Sequence, residues 1–136
     1  MLKLESKNGT ANGSQLAVYQ YLSNFRNFAH MLPAEQLNNL EVTGDTIRFA
    51  ISGLGMIGLK LSEKKPYEQF VVRGTEDSSA DFTIWVNIAA ESERQSRVNL
   101  VLEANLNMFI EMMARGPLQK FADMIIDKIT ALEFKE

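Results

Sequence analysis

The chain has 136 residues, 46% of them hydrophobic and 23% charged, the composition of one globular domain spanning 1–136 rather than of a disordered, fibrous or membrane protein. It contains no cysteine, which excludes a disulfide scaffold, a thiolate metal site and a cysteine nucleophile together. Fourteen Lys and Arg are interspersed with seventeen Asp and Glu for a net charge of −3, so no basic stripe faces a phosphate backbone and no nucleic-acid partner is expected.

Leu2, Leu4 and Ser6 alternate with Lys3, Glu5 and Lys7, the period of a half-buried strand, until Asn8-Gly9 and Asn12-Gly13 break the run. The same N-terminus lacks the apolar stretch of a signal peptide, and no apolar run is long enough to span a bilayer. The expected location is therefore the cytoplasm, with no stable membrane insertion. Val18, Tyr21, Leu22 and Phe25 recur at helical spacing, with Asn12 or Ser14 available to cap the first free amides. Phe25, Phe28, Ala29 and Leu32 make a second helical stripe that Pro33 stops or restarts. Two short helices are predicted after the first strand.

From Leu40 the period changes to two. Gly44-Asp45 predicts a hairpin between Leu40–Thr43 and a strand in which Ile47, Phe49 and Ile51 alternate with Arg48, Ala50 and Ser52. Leu59 and Leu61 follow, then a charged turn at Glu63-Lys64-Lys65-Pro66. Phe70, Val72 and Gly74 form the next inward set, with Val71 and Arg73 outward. Phe82, Ile84, Val86 and Ile88 come next, then Val98, Leu100, Leu102 and Ala104. About seven antiparallel strands with one apolar face each are expected. On the other face, Arg48, Arg73, Arg97 and Trp85 form a solvated surface. Trp85 with Val101 is an association patch there, the place for a homodimer contact.

The last third returns to helical period. Leu118, Phe121, Ala122, Ile125, Ile129 and Leu132 form one stripe, and Gly116-Pro117 marks the expected start of a long helix running from Pro117 to Leu132. Before it, Met108, Phe109, Ile110, Met112 and Met113 make a dense apolar segment, expected as a short helix or irregular hinge. A sheet with one apolar face needs a cover, and this helix is the only long amphipathic element to supply it. The expected fold is α+β, a helix-grip arrangement in which the curved sheet wraps the C-terminal helix.

The segment Tyr21-Leu22-Ser23-Asn24-Phe25-Arg26-Asn27-Phe28 with Leu32-Pro33 resembles its counterpart in small START-like proteins of the SRPBCC superfamily, which are related to polyketide cyclases. Glu103-Ala104-Asn105-Leu106-Asn107, Met112-Met113 and Pro117-Leu118-Gln119-Lys120-Phe121 resemble the approach to their last helix. The resemblance covers essentially the whole chain. It implies a START/Bet v 1-like fold and, since the superfamily includes lipid carriers, receptors and cyclases, little about chemistry.

Three features of the sequence bear on chemistry. Gly53-Leu54-Gly55-Met56-Ile57-Gly58 spells a dinucleotide fingerprint, but the residues after it alternate as a strand instead of opening a helix, so a glycine-rich hairpin is expected and no cofactor. His30 is the only histidine and has no second ligand at metal spacing, so no metal is expected. Glu103, Asp81 and Asp45 fall on outward faces or turns, which leaves no inward acid–base pair and no catalytic residue to name.

Methionine side chains adapt to irregular apolar volumes, and Met108, Met112, Met113 and Met124 cluster near the last helix. The expected function is binding of a hydrophobic small molecule, of lipid, polyketide or aromatic class, between sheet and helix. The expected walls are Phe49, Ile51, Ile84, Val86, Leu100, Leu102, Phe109, Met112, Met113 and Phe121. A cyclase- or dehydrase-type enzyme and a protein-interaction module with a self-filled cavity are the alternatives.

Overall fold

The computed structural model describes residues 1–51 and 53–135, so Ser52, assigned above to an outward face, lies outside the described residues. The chain forms strands β1 (Leu2–Glu5) and β2 (Gly9–Ala11), helices α1 (Gln15–Leu22) and α2 (Phe25–His30), and a 3-10 turn at Ala34–Gln36. Strands β3 (Asn38–Thr43), β4 (Thr46–Ile51), β5 (Gly55–Lys65), β6 (Gln69–Gly74), β7 (Asp81–Ser92) and β8 (Gln95–Asn105) follow, and helix α3 (Met108–Thr130) completes the order. The strands make one curved antiparallel sheet in the order β1-β8-β7-β6-β5-β4-β3, with β2 also paired to β8.

The alternation expected of the strands is what buries them. Ile47, Phe49, Phe82, Ile84, Val86, Ile88, Val98, Leu100, Leu102 and Ala104 are all buried toward the helices. Trp85 stands on the opposite, convex face, where its register partners are Val71 and Val101. Val71 shares that outward face, as the alternation implies, and is nonetheless 2% exposed, because it lies in the same cross-strand row as the Trp85 indole.

Two strand boundaries also differ from expectation. The charged stretch Glu63-Lys64-Lys65 is not a turn but the exposed end of β5, paired with Val71, Phe70 and Gln69, and the turn begins at Pro66. An all-polar stretch carries no period, yet β6 needs a ladder partner along its length. The strand count is eight, because Asn8-Gly9 interrupts the first strand without ending its pairing. The register on β8 shifts by one residue between Glu5↔Val101 and Gly9↔Val98. At the shift, the Ser6 backbone N–H donates to the Leu100 carbonyl and the Ser6 hydroxyl accepts from the Leu100 N–H, each at 2.8 Å. Gly9 fits for a packing reason, since a Cβ there would stand 2.5 Å from Ile126 Cγ2 and 2.7 Å from Thr130 Cγ2 of α3.

The helices form where the capping residues allow. Ser14 rather than Asn12 caps α1, its hydroxyl accepting from the Ala17 N–H at 3.1 Å, and Asn24 caps α2 through the Arg26 N–H at 3.1 Å. Helix α3 starts nine residues before the expected Pro117, because Asn107 Oδ1 accepts from the Ile110 N–H at 2.9 Å and nucleates a turn there. Ile110, Ala114, Leu118 and Ala122 then run down one face, a turn apart. Pro117 sits inside the helix with Met113 and Gly116, all three side-chain positions exposed, where water can satisfy the carbonyl left without a donor. The segment 108–113 is therefore neither hinge nor separate helix.

Helix α3 is tied to the interrupted edge of the sheet. Gln119 donates to the Glu5 carbonyl at 2.7 Å, the Lys7 N–H donates to Asp123 at 2.8 Å, and the Lys7 ammonium pairs with Asp127. Helices α1 and α2 close the concave face at its other end, where Phe28 meets Phe70 edge-on at 5.6 Å and Tyr19 meets Phe70 at 6.4 Å.

Candidate functional site

Beside the first half of α3 an apolar cleft remains open. Its volume is about 120 Å³, and its walls come from the first half of α3 (Ile110, Met113, Ala114, Pro117, Leu118, Phe121), the end of β4 and the following turn (Ile51, Gly53, Leu54), and the 3-10 turn region (Gln36, Leu37). The turn forms here because Gly53 and Gly55 adopt φ of 89° and 84°, a conformation that side-chain-bearing residues rarely take. The glycine run is thus a hairpin, as the residues after it implied. Next to the cleft lies a narrow void of about 10 Å³ lined by Phe49, Ile51, Ile57, Leu59, Phe82, Ile84, Leu102, Leu118 and Phe121.

Among the described residues no titratable side chain lines either space, and Gln36 carries the only polar side chain of the cleft. The groups whose ionisation is perturbed lie elsewhere. The Lys7 ammonium is raised by its bond to Asp127, the Asp77 carboxyl is lowered by the Thr75 hydroxyl and Arg48, and burial pushes the Tyr19 phenol up, an effect Ser23 partly offsets. Among the described residues no group of His, Asp and Glu side chains is arranged to hold a metal ion. His30 is exposed at the end of α2. Glu103 pairs with Lys3 at 3.7 Å, and Asp45 and Asp81 are exposed.

Of the ten expected wall residues, Ile51, Met113 and Phe121 line the cleft, and Phe49, Ile84 and Leu102 join Ile51 and Phe121 around the void. Val86 and Leu100 are buried at 0% and 1% but line neither space. Phe109 and Met112 require a correction of placement: they are 74% and 77% exposed, on faces of α3 turned away from the cleft. The reason is helical register, since Ile110 and Ala114 continue the buried stripe of Leu118 and leave their neighbours outside. Leu37, Leu54, Ile110, Ala114, Pro117 and Leu118 are walls that were not expected. Spacing back from Leu118 identifies Ile110 and Ala114, whereas Leu37 and Leu54 sit in connections whose positions no periodicity announces.

The architecture has close counterparts among solved structures. An aromatase/cyclase from a Streptomyces species superposes with a TM-score of 0.73 over 96% of this chain and 92% of that one, at 8% identity. The chain has the START-like helix-grip fold. A norcoclaurine synthase from Thalictrum flavum shares the helix-grip fold at TM-score 0.69, 11% identity, 96% of this chain and 92% of that one. So does a START superfamily protein from Mycobacterium smegmatis, at TM-score 0.63, 10% identity, 93% and 96%. No family model and no curated protein sequence matches this helix-grip chain. No helix of the described residues is long and apolar enough to cross a membrane.

Proposed function

We propose that this chain, a single cytoplasmic domain, binds a small hydrophobic molecule in the cleft between α3, the β4–β5 turn and Leu37. The observation that carries the reading is an open apolar space of about 120 Å³ without an ionisable wall among the described residues. A dry apolar cavity of roughly 150 Å³ holds benzene, so this space suits one ring or a short alkyl chain. Burial of apolar ligand surface, at about 25 cal/mol per Å², supplies the affinity. Two of the structural neighbours are described as an aromatase/cyclase and a synthase, but proton transfer needs an acid or base within reach of the ligand, and the described residues of this cleft present none.

The test is calorimetric titration with the neutral single-ring probe propylbenzene. The wild type is expected to bind it at micromolar affinity. Ala114→Phe, which projects a ring into the cleft from a buried wall position, is expected to weaken binding by about tenfold or more, the equivalent of losing some 55 Å² of buried contact. Met112→Trp, on the exposed face, is expected to leave it unchanged. Absence of binding by the wild type transfers support to the interaction module whose interior is filled by its own side chains.

A further inference from the structure

The cleft and the void next to it share three wall residues, Ile51, Leu118 and Phe121. These three stand between a space of about 120 Å³ and a narrow one of about 10 Å³. Phe121 is the largest of them. Its ring is 5% exposed and packs on Phe49 of β4 at 6.2 Å between centroids with the planes inclined at 32°, so it reaches from the helix to the sheet across the line along which the two spaces would join. Every described residue around the void is apolar, so the region beyond these three would accept hydrocarbon in preference to water if it were opened.

We propose that Phe121 is the specificity-determining residue of the cleft, a floor that limits its ligands to neutral apolar molecules of one ring or a short alkyl chain. This rests on the binding role proposed above. Charge selection follows from the same walls: a carboxylate or ammonium entering the cleft would leave water without an opposite charge to meet it, whereas a hydroxyl can bond to Gln36 or remain at the opening. Length selection follows from Phe121, because methylenes beyond the floor have nowhere to be buried.

Straight-chain primary alcohols from butanol to decanol, measured by the same calorimetric titration, test the floor directly. For the wild type, affinity should rise about fourfold per methylene, the equivalent of ~0.8 kcal/mol, and then level off at a break point. In Phe121→Ala the rise should continue past that point, so that an alcohol two methylenes longer binds about fifteenfold tighter than to the wild type. Phe121→Leu, which keeps the core filled, should shift the break in the same direction by less and serves if the Ala variant does not fold. Leu54→Ala, at a wall residue of the cleft alone, should lower affinity for all lengths alike and leave the break where it is. A break that stays put in the folded Phe121 variants overturns the proposal while leaving the binding role intact. A wild type that binds neither probe nor alcohol overturns both.

Discussion

Phe28→Ala is expected to destabilise the chain by about 5 kcal/mol, the upper end of the range for core phenylalanines. Phe28 is fully buried in α2, stacked on Phe25 at 6.1 Å with planes 10° apart and edge-on to Phe70 at 5.6 Å. Truncation loses the transfer energy of the ring, leaves a closed cavity, and removes two aromatic pairs worth about 0.5–1.5 kcal/mol each. Phe121→Ala makes the comparison, with a cost nearer 3 kcal/mol, because that ring borders an open cleft whose walls can relax and which water can reach. Urea unfolding of the two variants should rank them in this order. Equal midpoints would contradict the enclosed aromatic cluster at the α2 end.

Ser6→Ala is expected to cost about 2 kcal/mol although it deletes a single oxygen atom. At the register shift between β1 and β2 the Ser6 hydroxyl supplies the acceptor for the buried Leu100 N–H and itself donates to the Lys7 carbonyl at 2.8 Å. Without it that amide is desolvated and unpaired, a penalty of about 1–3 kcal/mol that no packing gain offsets. Ser92→Ala provides the control. Its hydroxyl accepts from the exposed Arg94 N–H at 3.4 Å, and its loss should change stability by less than about 0.5 kcal/mol. The same midpoint for both variants would mean that β8 finds another acceptor at this point.

The strands were legible because a sheet buried on one face writes a period of two into its sequence, and the buried sets of β4, β7 and β8 follow it residue by residue. The long helix was legible from Leu118 onward and not before. Gly116-Pro117 reads as a start signal, and locally it is one, but a capped turn at Asn107 and the stripe through Ile110 and Ala114 outweigh the single missing donor. Of the site, the floor was visible and the rim was not. Phe49, Ile51, Ile84, Leu102 and Phe121 belong to periodic elements, so their side was fixed once the period was known. Leu37 and Leu54 reach the cleft from turns. Met112 and Phe109 were placed at the wall on composition alone, whereas the spacing back from Leu118 that brings in Ile110 and Ala114 leaves them exposed.

Pro117 also divides the helix into two parts of unequal cohesion. Residues 108–116 bury only Ala114 fully and leave Met108, Phe109, Met112 and Met113 at 65–79% exposure, whereas the part that follows buries Leu118, Phe121, Ala122, Ile125, Ile126 and Ile129. Local opening free energies track buried apolar contact, so the amides of the first part should exchange with solvent through a small, separate fluctuation while those of the second wait for global unfolding. The upper wall of the cleft, Ile110, Met113 and Ala114, rides on the loosely held part, and Leu118 and Phe121 on the firm one. Under the binding role proposed above, ligand exchange would be eased by fraying of two helical turns, at a rate set by that local equilibrium and independent of the stability of the core.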